Sequence, residues 1–262
     1  MFMNQIRKIF SENPILIDSL FLIFSSFLVH SVYVIYIDPI SAAEIGNAIT
    51  LGETPERTIW LILKDLEQEL CLIFAIWCLF LLFNRYSVFN EDSRLISMDF
   101  LGLELPEKSL HTIDARLLEA EKLGLHSYLV SGTRVFLENL KDTQSAESAR
   151  KEAALFLDLL EETLDSKLQL INFILWAIPS IGFLGTVRGI GQALADADQA
   201  LAGDIASVAL NLGIAFNSTF VALLLSLVLT FISSGFKGRD IDRLVKCKRF
   251  INEVLPKKVT VN

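Results

Sequence analysis

Two threonines, Thr186 and Thr219, each stand inside an apolar stretch where a hydroxyl has no solvent to serve it. The first stretch, Phe173 to Gly191, reads FILWAIPSIGFLGTVRGIG and carries Pro179, Gly182, Gly185, Arg188 and Gly189. The second, Ser207 to Ser234, carries Asn211, Asn217 and Ser218 beside Thr219. Small residues let helices approach closely in lipid, and hydroxyls find partners on neighbouring helices. The two stretches run in opposite directions across a short link, which predicts hydroxyls at similar depth. Hydroxyls order a chain of water without holding a cation tightly, and they suit proton movement. They do not titrate usefully, and neither stretch holds a deep carboxylate. If ions cross here, another chain must bring the acid.

The elements that would position these residues follow from composition. Of 262 residues, 52% are hydrophobic and 21% charged, and mean hydropathy is +0.49. The balance is that of a membrane protein. The net charge of −8 without a large basic surface argues against a nucleic-acid partner. The predicted fold is all-α and polytopic, with four transmembrane helices and long helices extending into the cytoplasm. A membrane-surface segment at 1–14 precedes span 15–37. An outer acidic link at 38–69 follows, then span 70–86, which starts upstream if its helix recruits earlier turns. Thr54 and Pro55 have the form of a helix start, with a helix running from before Trp60 into that span. A cytoplasmic helical region at 87–167 leads to span 168–193, an outer link at 194–206, span 207–236 and a basic cytoplasmic tail at 237–262. The tail's Lys237, Arg239, Arg243, Lys246, Lys248 and Arg249 put both termini inside by the positive-inside rule.

In the middle region a break is expected near Gly124 or Gly132, and a turn over 143–148. Ala153, Leu157, Leu160, Leu164 and Leu168 form one apolar face. That face offers either a seam for partner subunits or a side of four-helix packing within one chain. The helix bearing it should run unbroken into the third span as far as Pro179, whose freed carbonyl needs a new partner.

Charges inside spans are functional candidates by default. Asp18, close to a boundary, reads as an interfacial or capping group, or else as a proton carrier. Arg188 is either a coupling charge or a side chain snorkelling to outer headgroups, the latter favoured by its place near the end of its span. His30, His111 and His126 are scattered, and Cys71, Cys78 and Cys247 form no framework, so no metal or cofactor is expected. An enzyme is the least favoured class, for no nucleophile and base or paired acids cluster in the sequence.

The run Pro179-Ser-Ile-Gly-Phe-Leu-Gly-Thr-Val-Arg-Gly189, with Ala215-Phe-Asn-Ser-Thr-Phe-Val-Ala222, resembles the MotA/TolQ/ExbB proton channel family. The likeness is strongest over 168–236. It implies a homopentamer in the bacterial inner membrane, and two copies of a single-span MotB/TolR/ExbD-like partner in a central pore. The partner's transmembrane Asp would carry the ion, expected to be H+, in a motor or stator. By this resemblance Thr186 and Thr219 match the pore threonines. Ser218 stands where many relatives carry a further threonine. Pro179, Gly182, Gly185 and Gly189 match the bend and packing positions. Ala222 replaces a glycine, and Ile214 stands where the transport branch carries a Glu. The alternative is a non-conducting membrane scaffold that organises soluble partners through its cytoplasmic helices.

Overall fold

The computed structural model describes residues 14–51, 56–97, 108–122, 127–198 and 205–260. The N-terminal surface segment therefore lies almost wholly outside the described residues, as do Thr54, Pro55, Gly124 and residues 199–204 of the second link. Among the described residues, the fold is all-α apart from one two-residue parallel pair, in which β1 (Lys108–Ser109) lies beside β2 (Val259–Thr260). Among the described residues, four helices are long and apolar enough to cross a membrane: Leu16–Ala48, Leu66–Asn84, Ala146–Ala195 and Ser207–Val254. The chain divides into two compact units. The first comprises Met1–Leu82 with Leu170–Ile232, and the second Phe83–Gln169 with Ser233–Asn262.

In the first unit, α1 (Pro14–Val32) opens on a proline, whose missing N–H costs nothing in a first turn. A wide π-helical turn, Tyr33–Ile37, joins it to α2 (Asp38–Leu51). The helix thus continues past Ile37, where the sequence suggested a link. Pro39 would crowd an ordinary turn, and here the Asp38 N–H reaches back to the Tyr33 carbonyl, which widens the backbone just before the ring.

The second crossing differs from the continuous helix expected. Thr58 caps a short α3 (Ile59–Leu63), its side chain accepting from the Leu61 N–H. The chain breaks at Lys64 and Asp65, and α4 (Leu66–Ser97) begins anew. Its first amides, Gln68 and Glu69, donate to the Asp65 carbonyl at 3.1 and 3.2 Å. The Gln68 side-chain Nε2 donates to the Ile62 carbonyl at 3.0 Å, which satisfies the end of α3. Val29, Tyr33, Ile37 and Ile73 form the core between α1 and α4. Phe21 stacks on Phe80, and the Trp77 indole donates to the Asp18 carbonyl at 2.9 Å.

In the second unit, α5 (Leu110–Lys122) and α6 (Tyr128–Thr143) pack with the start of α7 (Ala146–Ala195) and the end of α8 (Ala206–Arg249). A second π-helical turn, Phe250–Val254, leads into the one-turn α9 (Leu255–Lys258). Ser127 caps α6 by accepting from the Val130 N–H at 3.1 Å. Gln144 ends it in the left-handed region, at φ 51°. Gly132 lies inside α6, where an added Cβ would stand 2.6 Å from Ile251 Cδ1, so it serves close packing and makes no break.

The apolar face of α7 and the basic tail both take part in this unit. Ala149, Ala153 and Leu157 are fully buried against α5, α6 and the C-terminal elements of the same chain. Of the two readings the sequence left open for this face, packing within one chain holds at Ala153 and Leu157. Leu244, Cys247, Ile251, Leu255 and Val259 of the basic tail belong to the same core. Lys248 sits 2.7 Å from both Asp158 and Glu161.

Candidate ion-pathway site

The third and fourth spans meet along a seam of small residues. A Cβ at Gly185 would stand 2.5 Å from Ser218 Cβ, and one at Gly189 would stand 2.6 Å from the Ala215 nitrogen and the Asn211 carbonyl oxygen. Gly182 faces Ala222 closely enough that no side chain fits between them. Positions 182, 185 and 189 on α7 therefore match 222, 218 and 215 on α8, read in the opposite direction. Steps of three and four place each set on one helix face, and absent side chains let the backbones close.

That closeness brings the two threonines together. The Thr186 and Thr219 hydroxyls hydrogen-bond to each other. Thr219 Oγ1 is 3.1 Å from the Gly182 carbonyl, and Thr186 Oγ1 lies 3.1 Å from the Ala215 carbonyl and 3.3 Å from that of Gly182. Each hydroxyl has one proton, so two arrangements satisfy the pair. In one, Thr186 donates to Thr219 and Thr219 to Gly182. In the other, Thr219 donates to Thr186, and Thr186 to Ala215 or Gly182. Rotation of two O–H bonds exchanges them and reverses the polarity of the chain. Both side chains are only half buried, so the pair can be approached from one side.

Ser218 is buried at 1% exposure, and its hydroxyl donates to the Ile214 carbonyl at 2.7 Å, so it belongs to the packed seam beside the pair. Pro179 sits within a continuous α7 and leaves the Leu175 carbonyl without its helical donor. Ser226 on α8 supplies a hydroxyl there at 3.3 Å. Asp18 makes its contact through its carbonyl with Trp77, not with the threonine pair.

Arg188 forms an ion pair that neither of its two sequence readings named. Its Nε and Nη2 donate to Glu67 Oε1 and Oε2 at 2.8 and 2.7 Å, and Nη2 stands 3.5 Å from Asp65 Oδ1. The sequence reading missed Glu67 and Asp65, which it spread along a solvated link. The available signal was the arginine itself, since a cation in an apolar helix needs a counter-charge. Ser226 was missed for a similar reason: serines in spans are common, and only the proline's register singles one out. Among the described residues, no group of three or more His, Cys, Asp or Glu side chains is placed to hold a metal ion.

Four span-length helices and a polar pair at a small-residue seam define a multi-pass α-helical membrane protein. Residues 123–248 match the MotA/TolQ/ExbB proton channel family, so the chain carries a domain of that family over this part of its length. The matched part contains both threonines and every seam residue. Comparison with curated proteins and with solved structures returns no match.

Proposed function

We propose that this chain is the pore-forming subunit of a proton-driven, energy-transducing complex in a bacterial inner membrane. The observation that carries the reading is the Thr186–Thr219 pair, reversible in polarity and open on one side, within a domain of a proton-channel family. A carboxylate is the missing part. A single-span partner of the MotB/TolR/ExbD type brings an Asp to the open side of the pair, and the ion it releases is H+. The chain's own residues do no bond-making chemistry. They order the proton's path and exclude bulk water.

Oligomeric assembly around the partner suits the exposed faces of the last two spans. Phe183, Leu184 and Val187 on α7 and Phe216, Phe220 and Leu227 on α8 are all exposed in the single chain. Such side chains need lipid or further copies to cover them. A homopentamer around two partner chains is the assembly that the family domain suggests. Termini and the 87–167 region on the cytoplasmic side follow from the basic residues after the fourth span.

The test is proton flux in proteoliposomes that hold the subunit with its single-span partner. Thr186→Val or Thr219→Val keeps the shape and removes the hydroxyl, and each should lower flux about tenfold or more, since a lost hydrogen bond near 1.4 kcal/mol is a factor of ten. Thr→Ser at either place should keep most of it. Unchanged flux in both valine variants, with assembly intact, would overturn the role given to the pair.

A further inference from the structure

The ion pair between α4 and α7 reaches into the same seam as the threonines. Arg188 follows Thr186 by two residues, and Gly185 precedes it by one. A Cβ at Gly185 would stand 3.1 Å from Glu67 Cγ and 2.5 Å from Ser218 Oγ. The Glu67 stem therefore lies in the notch that Gly185 leaves, with its carboxylate forked onto Arg188. Glu67 and Asp65 are 11% and 8% exposed at their side chains, which holds their charges largely out of water. Both sit at the break that starts α4, where Asp65 Oδ1 also meets Lys64 Nζ at 3.4 Å.

A forked carboxylate–guanidinium pair fixes orientation as well as distance. A single hydrogen bond would let α7 turn about its axis, whereas the fork holds it. Thr186 can meet Thr219 only at one rotation of α7, because a single residue along a helix turns the face by about 100°. The glycine seam brings α7 and α8 together, and the fork at the start of α4 adds an oriented contact on the same stretch of α7.

We propose that Glu67, supported by Asp65, is a positioning residue for the ion pathway: by clamping Arg188 it fixes α7 against α8 in the rotation that joins the two hydroxyls. The proposal deepens the proton-channel reading and rests on it. It also gives the second crossing a part in the pathway, although α4 contributes no group to the threonine pair.

A charge cycle tests it in the assembled complex with its single-span partner. Two quantities are read: proton flux per complex, and hydrogen exchange of the Leu66–Glu69 amides. Arg188→Gln leaves the largely buried Glu67 charge without its counterpart, and Glu67→Gln leaves the part-exposed Arg188 with Asp65 alone. Each should lower flux about tenfold, within the range of mutations that act through packed networks, and should speed exchange of those amides. The double variant removes both charges and should recover flux and protection toward wild type, as a coupled pair requires. Arg188→Lys keeps the charge without the fork and should fall between. A silent Glu67→Gln beside a damaging Arg188→Gln would overturn the clamp, for Arg188 would then act alone. So would losses that simply add in the double variant. Thr186→Val should lower flux about tenfold or more without changing exchange at α4. If even the wild-type complex carries no flux, the ion reading and the positioning role fall together, while the exchange cycle still decides whether the clamp exists.

Discussion

At the scale of single residues, hydrogen bonds across the seam decide what the third span tolerates. Pro179 removes the donor for the Leu175 carbonyl, and Ser226 replaces it. Ser226→Ala should then cost about 0.6 to 1 kcal/mol, the usual worth of an interhelical hydrogen bond in a membrane protein. The same change in a Pro179→Ala background should cost close to nothing, because the helix then satisfies its own carbonyl. Thermal unfolding of the four variants in detergent measures the coupling, and equal costs in both backgrounds would mean that Ser226 serves something else. The proline and its need were legible in the sequence, but the donor was not, since it comes from 51 residues away. The threonine pair was legible for the opposite reason. A short link and antiparallel spans leave little freedom in depth, so two hydroxyls on facing stretches were bound to come near. Glu67 lies 121 residues from Arg188 and escaped any local pattern.

Elements are held together by what their glycines omit. An alanine at Gly189 would press its methyl against backbone atoms of Asn211 and Ala215, which cannot swing aside as a side-chain end can. Gly189→Ala should therefore destabilise the first unit by about 1 to 3 kcal/mol, the usual cost of overpacking. Gly191 has nothing within 4 Å of an added Cβ, so Gly191→Ala should gain up to about 1 kcal/mol of helix propensity. The expected order of melting temperatures is Gly191→Ala above wild type above Gly189→Ala, and reversal of the two variants would refute the seam. The sequence places both glycines in one apolar run and gives no means of separating them. Only the facing helix does that. The same limit explains the second crossing. Helix propensity runs smoothly from Ile59 through Lys64 and Asp65 into α4, and the break there is held by local hydrogen bonds to the Asp65 and Ile62 carbonyls that no propensity scale reads.

For the whole chain, the C-terminal segment closes the second unit, a role that its basic composition concealed. Charge reads strongly in a sequence, and the apolar residues between the lysines read weakly. Yet Leu244, Cys247, Ile251 and Leu255 repeat at steps of three and four, which gives one face of a helix. All four are buried with Phe136, Leu140 and Leu157. Ile251 is fully buried and lies against Gly132, so Ile251→Ala should open a cavity and cost about 2 to 5 kcal/mol. The chain supplies its own reporters, for its three cysteines are free and buried, with Cys247 in this core and Cys71 and Cys78 in the first unit. Under mild denaturant, maleimide should label Cys247 of the Ile251→Ala variant much faster than that of wild type. Cys71 and Cys78 should keep their wild-type rates if the units open separately. Equal acceleration at all three thiols would mean that losing one methyl-rich side chain from the C-terminal segment unlocks the membrane spans as well, and that the two units share a single unfolding transition.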